Sequence, residues 1–227
     1  MLRSGARHSL AAVAAARRRS SPAVAATTTR SSSLLRSVAR DAATLEEAFN
    51  AFTNTIVECH ARDAVVFTTG IGKSGVVAQR LASSLASISV RSRYIHGCEW
   101  MHGELGNLRE GDAVVILSHS GETAELLPLP PLFKQSGCAV LTLTGSADSA
   151  LVRDSDVPMI APAQDPSECP VPSRSIIAQE SIVNALVEQL VETLDDRAAM
   201  FRRNHPAGTI GSRFRSSTGA RLRPPEQ

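Results

Sequence analysis

Aromatic side chains are scarce in this sequence: one Trp, one Tyr and six Phe among 227 residues, 4% in all. That excludes a surface that stacks single-stranded nucleic acid on exposed rings. Cysteine is equally thin, with Cys59, Cys98, Cys138 and Cys169 far apart and no C-x-x-C pair. Zinc-ribbon and thioredoxin readings fail, and a chain of this length has no need of a disulfide framework. The thiols point to a reducing compartment. No apolar run approaches the roughly 18 residues that a bilayer span requires, so no membrane partner is expected. Net charge is low too, at +2, and that figure hides an asymmetry. Residues 1–40 hold eight Arg and no Asp or Glu, which leaves 16 basic against 22 acidic side chains in the rest. The body of the chain is acidic, so a phosphate-tracking face for DNA or RNA is not supported.

What the sequence does contain divides into three parts. The first 40 residues, rich in Arg, Ser and Ala, have the composition of a mitochondrial-type transit segment. The alternatives are a disordered basic tail or an unused upstream start on a cytoplasmic protein. Residues 213–227, short, basic and Pro-containing, read as a disordered tail. Residues 41–212 carry the domain, and the overall 43% of hydrophobic residues suffices for a buried core. Leu45, Ala48, Phe49, Phe52 and Ile56 recur at helical spacing and predict a helix over 41–59. Apolar runs predict strands at 64–69, 93–96, 113–118, 139–144 and 157–160. Helices are expected over 76–88 and 173–194, with another opening at Gly121 and broken by Pro128, Pro130 and Pro131. The strands are continuously apolar rather than alternating, the mark of a parallel sheet covered on both faces. In such sheets ligands bind beyond the carboxyl ends of the strands.

Three motifs fall at those ends. Gly70-x-Gly72-x-x-Gly75 follows a strand and precedes a helix, as a dinucleotide fingerprint would. The acidic residue that should close the next strand is missing, because that strand ends Tyr94-Ile95-His96. Gly72-Lys73-Ser74 matches the end of a P-loop, but Phe67 stands where its first Gly belongs. What survives is the physics common to both: backbone amides at a helix start, small residues and a lysine, a combination that suits a phosphate. A tight turn that binds nothing is the bland alternative. Ser118-His-Ser120-Gly-Glu-Thr123 places hydroxyls at a neighbouring strand end, where Ser and Thr also serve as ordinary caps. His96-Gly-Cys-Glu99-Trp-Met-His102-Gly-Glu104-Leu-Gly106 brings four titratable groups into nine residues. Such groups can move protons near neutral pH. Glu99 and His102, at i and i+3, could instead ligate a metal, or the carboxylates could simply be solvated. A fourth segment, Asn204-His205-Pro-Ala-Gly-Thr-Ile-Gly211, sets a histidine before a proline outside any core pattern.

Taken in order, GIGKSG, HGCEWMHGELG, SHSGET and NHPAGTIG resemble the SIS (sugar isomerase) family, and within it the arabinose-5-phosphate isomerase type, over residues 41–212. The resemblance implies a flavodoxin-like three-layer α/β/α sandwich with a five-stranded parallel sheet. It implies an aldose–ketose isomerase of a sugar phosphate, ribulose 5-phosphate to arabinose 5-phosphate, working through an enediol(ate). It also implies a homotetramer or dimer, no organic cofactor, no resident metal, and zinc at most as an inhibitor. Gly72, Lys73, Ser74, Ser118, Ser120, Thr123 and His96 would hold the sugar phosphate. His96, Glu99 and His102 would line the sugar, His205 would enter from a neighbouring subunit, and a glutamate (Glu168, failing that Glu99 or Glu104) with His205 or His102 would shuttle the protons. The family's E-A-C-P glutamate corresponds to Glu168, displaced by one position, and Arg174 stands where small hydroxyl residues are usual. Arg174 could pair with phosphate or narrow the pocket. The paired CBS domains of many bacterial members are not expected here. An inert sugar-phosphate-binding module is the alternative to an enzyme.

Overall fold

In the computed structural model, which describes Ser32, residues 42–165 and residues 171–212, five parallel strands form one sheet. They are β1 (Val66–Gly70), β2 (Ser92–His96), β3 (Ala113–Leu117), β4 (Ala139–Thr144) and β5 (Val157–Ile160), in the order β2-β1-β3-β4-β5. β1 and β3 are interior strands and every residue of both is buried; β3 is an unbroken apolar run, while β1 ends in Thr68, Thr69 and Gly70. Parallel neighbours need crossovers. α1 (Ala42–Ala61) precedes β1, and the helical crossovers run through α2 (Gly72–Ser87), α3 (Leu129–Gln135) and the single turn α4 (Ala150–Arg153). The chain closes with α5 (Arg174–Thr193) and α6 (Arg197–Asn204). Two short 3-10 stretches, Trp100–His102 and Glu104–Asn107, join β2 to β3.

One face of the sheet packs Val115, Leu117, Leu141 and Leu143 against Phe52, Ile56, Leu81, Leu85, Ile182 and Leu186 of α1, α2 and α5. The other packs Phe67, Val114, Ile116 and Val140 against Trp100, Leu129 and Phe133. This is the three-layer α/β/α sandwich expected from the sequence. The strand order reverses between β1 and β3, and that is the switch point at which such sheets open a crevice for ligand.

Two boundaries differ from the sequence reading. α2 begins at Gly72, four residues before the expected 76, because Gly72 takes φ +60° and turns the chain into the helix straight after β1. Lys73, Ser74 and Gly75 are thus the helix's first turn. No helix opens at Gly121. Residues 121–128 run as turns, and the helix forms at Leu129–Gln135 instead, with Pro130 and Pro131 in its first turn. A proline there forfeits no intrahelical bond, since the first amides of a helix lack partners anyway. Residues 1–31, 33–41, 166–170 and 213–227, and with them the transit and tail readings and Glu168, lie outside the described residues.

Candidate active site

A cavity of about 310 Å³ opens at the switch point. Lys73 and Ser74 of α2 form one wall, and Ser118, His119, Ser120 and Thr123 after β3 form another. Asp165 and the start of α5 close the third side. A wider groove of about 660 Å³ runs along the edge strand β2 and the carboxyl end of α2. It lies away from the strand ends at which this fold binds ligands.

The first wall is an uncapped helix start. Ile71 occupies the cap position in extended conformation (φ −125°, ψ 148°) and has no side chain to bond the leading amides. Those amides and the positive end of the helix are suited to an anion. Gly75 lets α2 start this close to the sheet: a Cβ there would stand 2.8 Å from the carbonyl oxygen of Gly70 and 2.9 Å from the Tyr94 hydroxyl.

The second wall is a loop held by its own hydroxyls. Ser118 Oγ and Thr123 Oγ1 share a hydrogen bond of 2.8 Å, the Gly121 amide donates to Ser118 Oγ at 3.2 Å, and the Glu122 amide donates to Ser120 Oγ at 3.2 Å. Outside the loop, the Glu122 carboxylate accepts from the Ala150 amide at 2.7 Å. Gly121, at φ +65°, is packed so tightly on Ser149 that no side chain would fit. The hydroxyls therefore face the cavity from a braced loop, not from a helix N-terminus.

The third side holds a residue the sequence reading passed over. Asp165 Oδ1 accepts from the amides of Ser173 (2.7 Å), Arg174 (2.6 Å) and Ser175 (3.3 Å), and Oδ2 accepts from the Ser175 hydroxyl (2.6 Å). Burial pushes its carboxyl up. The opposing hydrogen bonds, that of the Ser175 hydroxyl first, outweigh it and bring the carboxyl down to about 2. The amino end of α5, which could have held a ligand anion, is thus filled by the protein's own carboxylate. A depressed carboxyl adds stability above its unfolded value of 3.8 and loses it as pH falls through about 2. Replacing Asp165 with Asn is accordingly expected to lower the unfolding free energy by about 1–2 kcal/mol at neutral pH, as for a lost helix cap. The difference should shrink toward pH 2. Urea unfolding at both pH values measures it, and an equal difference at both would contradict the charge-based account.

The other expected site residues separate into two groups. His96 ends β2, exposed, its Nδ1 accepting from the Cys98 amide at 3.3 Å. Glu99 and His102 are exposed on the 3-10 stretch beyond it. Between them Trp100 is fully buried, and its Nε1 donates to Thr69 Oγ1 of β1 at 2.9 Å. Glu104 is engaged: its carboxylate pairs with Arg93 at 3.3 Å and accepts from Asn107 Nδ2 at 2.6 Å. None of these four titratable residues lines the cavity, and neither does Arg174, whose guanidinium donates to the Gln164 carbonyl at 3.4 Å. Among the described residues no three His, Cys, Asp or Glu side chains converge as a metal-binding group.

His205 is farther still. Its Nδ1 donates to the Phe201 carbonyl at 2.7 Å, and its ring lies 4.1 Å from the Phe201 ring. Beside it, Asn204 Nδ2 donates to the Ser87 carbonyl at 3.1 Å and Ser89 Oγ at 2.7 Å, at the carboxyl end of α2. Lys73 is at the opposite end of that 16-residue helix, about 21 Å away along its axis.

Comparison with known proteins adds a lineage to this geometry. The SIS domain family matches residues 61–189, more than half of the chain. This chain belongs to the SIS domain family. It is 34% identical over 152 residues to arabinose 5-phosphate isomerase KdsD of Pseudomonas aeruginosa, covering 66% of this chain and 46% of that protein. It is 28% identical over 193 residues to arabinose 5-phosphate isomerase KpsF of Escherichia coli, covering 80% and 60%. This SIS chain spans about half the length of the curated relatives it matches. Among solved structures, an Escherichia coli CFT073 protein in complex with a sugar phosphate superposes with a TM-score of 0.65 at 27% identity, covering 82% of this chain and 98% of that one. No helix among the described residues is long and apolar enough to cross a membrane.

Proposed function

We propose that this SIS domain is an aldose–ketose isomerase of a phosphorylated sugar, interconverting ribulose 5-phosphate and arabinose 5-phosphate. One observation carries the reading: a single cavity at the switch point joins the uncapped, lysine-bearing start of α2 to the hydroxyl loop of Ser118, Ser120 and Thr123. Amides, an ammonium and several hydroxyls around a small cavity are what a phosphate dianion requires. Relatives named as arabinose 5-phosphate isomerases support the choice of sugar.

With the phosphate seated there, the sugar extends toward the end of β2 and the loop before α5. A base removes a proton from C1 of the ketose, and the electrons form an enediolate. The proton returns to C2, while an acid protonates the oxygen on C2 and the C1 hydroxyl gives up its proton to become the aldehyde. Glu168 is the first candidate for the base, with Glu99, His102 and the Arg93-paired Glu104 after it. Asp165 is a poor one, because a carboxyl held near 2 has little affinity for a proton. His205 cannot reach the cavity of its own chain across the length of α2, so in this proposal it serves the site of a second copy within a homodimer or homotetramer.

The test uses the full chain with ribulose 5-phosphate in D2O, followed by proton NMR. Appearance of arabinose 5-phosphate, or deuterium at C1 or C2, is the expected result. Lys73→Ala should lower kcat/KM by about 100-fold, the order seen when one preorganised charge-stabilising donor is lost. A second reading, a binding module without turnover, is favoured by the placement of Glu99, His102 and Glu104 outside the cavity. It predicts thermal stabilisation by sugar phosphates with no exchange. Neither turnover nor stabilisation would overturn the substrate class.

A further inference from the structure

The motif Ser118-His119-Ser120 supplied two hydroxyls to the reading above and left the residue between them without a role. Its geometry is specific. Leu117 and Leu143, paired across β3 and β4, face the layer of α1, α2 and α5. Two residues on, His119 and Gly145 each sit in a bend just past the end of their strand. The Gly145 amide donates to the His119 carbonyl at 2.8 Å and ties the two bends together. The imidazole is then pressed on Gly145 so closely that a methyl group there would overlap ring atoms Cε1 and Nδ1. Nδ1 is sealed from solvent and has no hydrogen-bond partner. The ring nonetheless belongs to a residue that lines the cavity beside Lys73 and Ser120.

A dry nitrogen with no acceptor in reach is a costly place for an N–H. The donor edge of the ring is therefore Nε2, which Gly145 does not cover. We infer that His119 is a donor of the anion cavity, its Nε2–H directed at a phosphate oxygen and its ring held in place by Gly145. In the terms of the reaction, His119 is a ligand-contacting residue that contributes to affinity, and Gly145 is a positioning residue that acts through it. The inference rests on the phosphate reading of the cavity.

Inorganic phosphate, titrated calorimetrically into the full chain and its variants, tests this. Thermal unfolding confirms that each variant is folded. His119→Ala is expected to weaken phosphate binding about tenfold, the worth of one hydrogen bond to a charged acceptor. His119→Gln, which can present an amide N–H from nearly the same place, should recover binding to within about threefold of the parent. Gly145→Ala should reproduce the loss by displacing the ring, and should cost much less once His119 is already Ala, when only the His119 carbonyl oxygen at 3.0 Å still crowds the new methyl, as a double-mutant cycle reads out. If His119→Ala binds phosphate like the parent, the inference falls while the phosphate reading stands. A loss that His119→Gln does not restore, or a loss from Gly145→Ala that is just as large when His119 is already Ala, would mark the effect as structural and also overturn it. Absence of phosphate binding by the parent chain overturns both the inference and the reading on which it rests.

Discussion

Trp100→Ala is expected to lower the free energy of unfolding by about 3–5 kcal/mol, the range for truncating a large buried aromatic side chain. Trp100 is fully buried. It meets Phe67 of β1 edge-on at 5.7 Å between ring centres and Phe133 of α3 at 4.7 Å. Its indole N–H also satisfies Thr69 Oγ1, a hydroxyl with no exposure of its own. Removing the side chain opens a cavity between β1 and α3 and leaves that hydroxyl unpaired. Trp100→Phe separates the two effects. It keeps most of the ring contact and loses only the hydrogen bond, so about 1–3 kcal/mol should go. Urea unfolding of the three proteins should give the order parent, Phe, Ala, and an Ala variant within about 1 kcal/mol of the parent would refute the packing argument. The consequence reaches the site. Trp100 pins the segment bearing Glu99, His102 and Glu104 to the strand that leads into Gly70. Activity in the Ala variant should fall by more than its loss of folded population explains.

Gly75→Ala sets two effects against each other, and their magnitudes decide the outcome. Alanine within a helix is ordinarily worth up to about 1 kcal/mol over glycine. Here the new methyl would lie 2.8 Å from the Gly70 carbonyl oxygen and 3.1 Å from the carbonyl carbon, with the Tyr94 hydroxyl at 2.9 Å. Two of these atoms belong to the backbone of a central strand and cannot swing aside. Overpacking of this kind costs about 1–3 kcal/mol, so the helix-propensity gain is cancelled or exceeded. The expected result is a folded protein, less stable than the parent by at most about 2 kcal/mol, in which α2 has moved off the sheet. That movement carries Lys73, Ser74 and the leading amides away from the Ser118–Thr123 loop. Misplacement of this order can cost about 100-fold in rate. The decisive measurement is kcat/KM beside thermal stability. A stabilised variant with unchanged phosphate affinity would show that α2 has no need to approach β1 so closely.

Much of this architecture was legible without coordinates. β3, β4 and β5 stand out as short apolar runs, β1 as a β-rich run closing in Thr68, Thr69 and Gly70, and α1 and α5 as periodic, glycine-free stretches. The glycines around Lys73 mark a strand passing directly into a helix. These features are local: burial on both faces, the 3.6-residue period and the backbone freedom of Gly72 each leave their trace within a few positions. The two loops of the cavity could be named for the same reason, because both follow strands and both carry small residues and hydroxyls. The topology rule that ligands collect at carboxyl strand ends did the rest.

Most of what the sequence left open depends on contacts between residues distant along the chain, the helix boundary at the prolines being a local exception. Pro130 and Pro131 read as helix breakers until Leu129 proves to be the start of α3. Glu104 reads as a free acid until the fold brings Arg93 against it. Asp165 has no local signature as a cap, because the amides it accepts from lie eight to ten residues further on. His205, expected to serve a neighbouring subunit's site, sits where α6 docks at the opposite end of α2 from Lys73. His119 shows its sealed nitrogen only when β4 delivers Gly145 to its ring. Periodicity, propensity and glycine geometry act over short spans, so the layers, the sheet and the chemistry of the two loops were already written in the order of the amino acids. Which titratable side chains meet, and which are engaged elsewhere, followed only from the folded chain, since pairing and burial depend on neighbours that no short span contains.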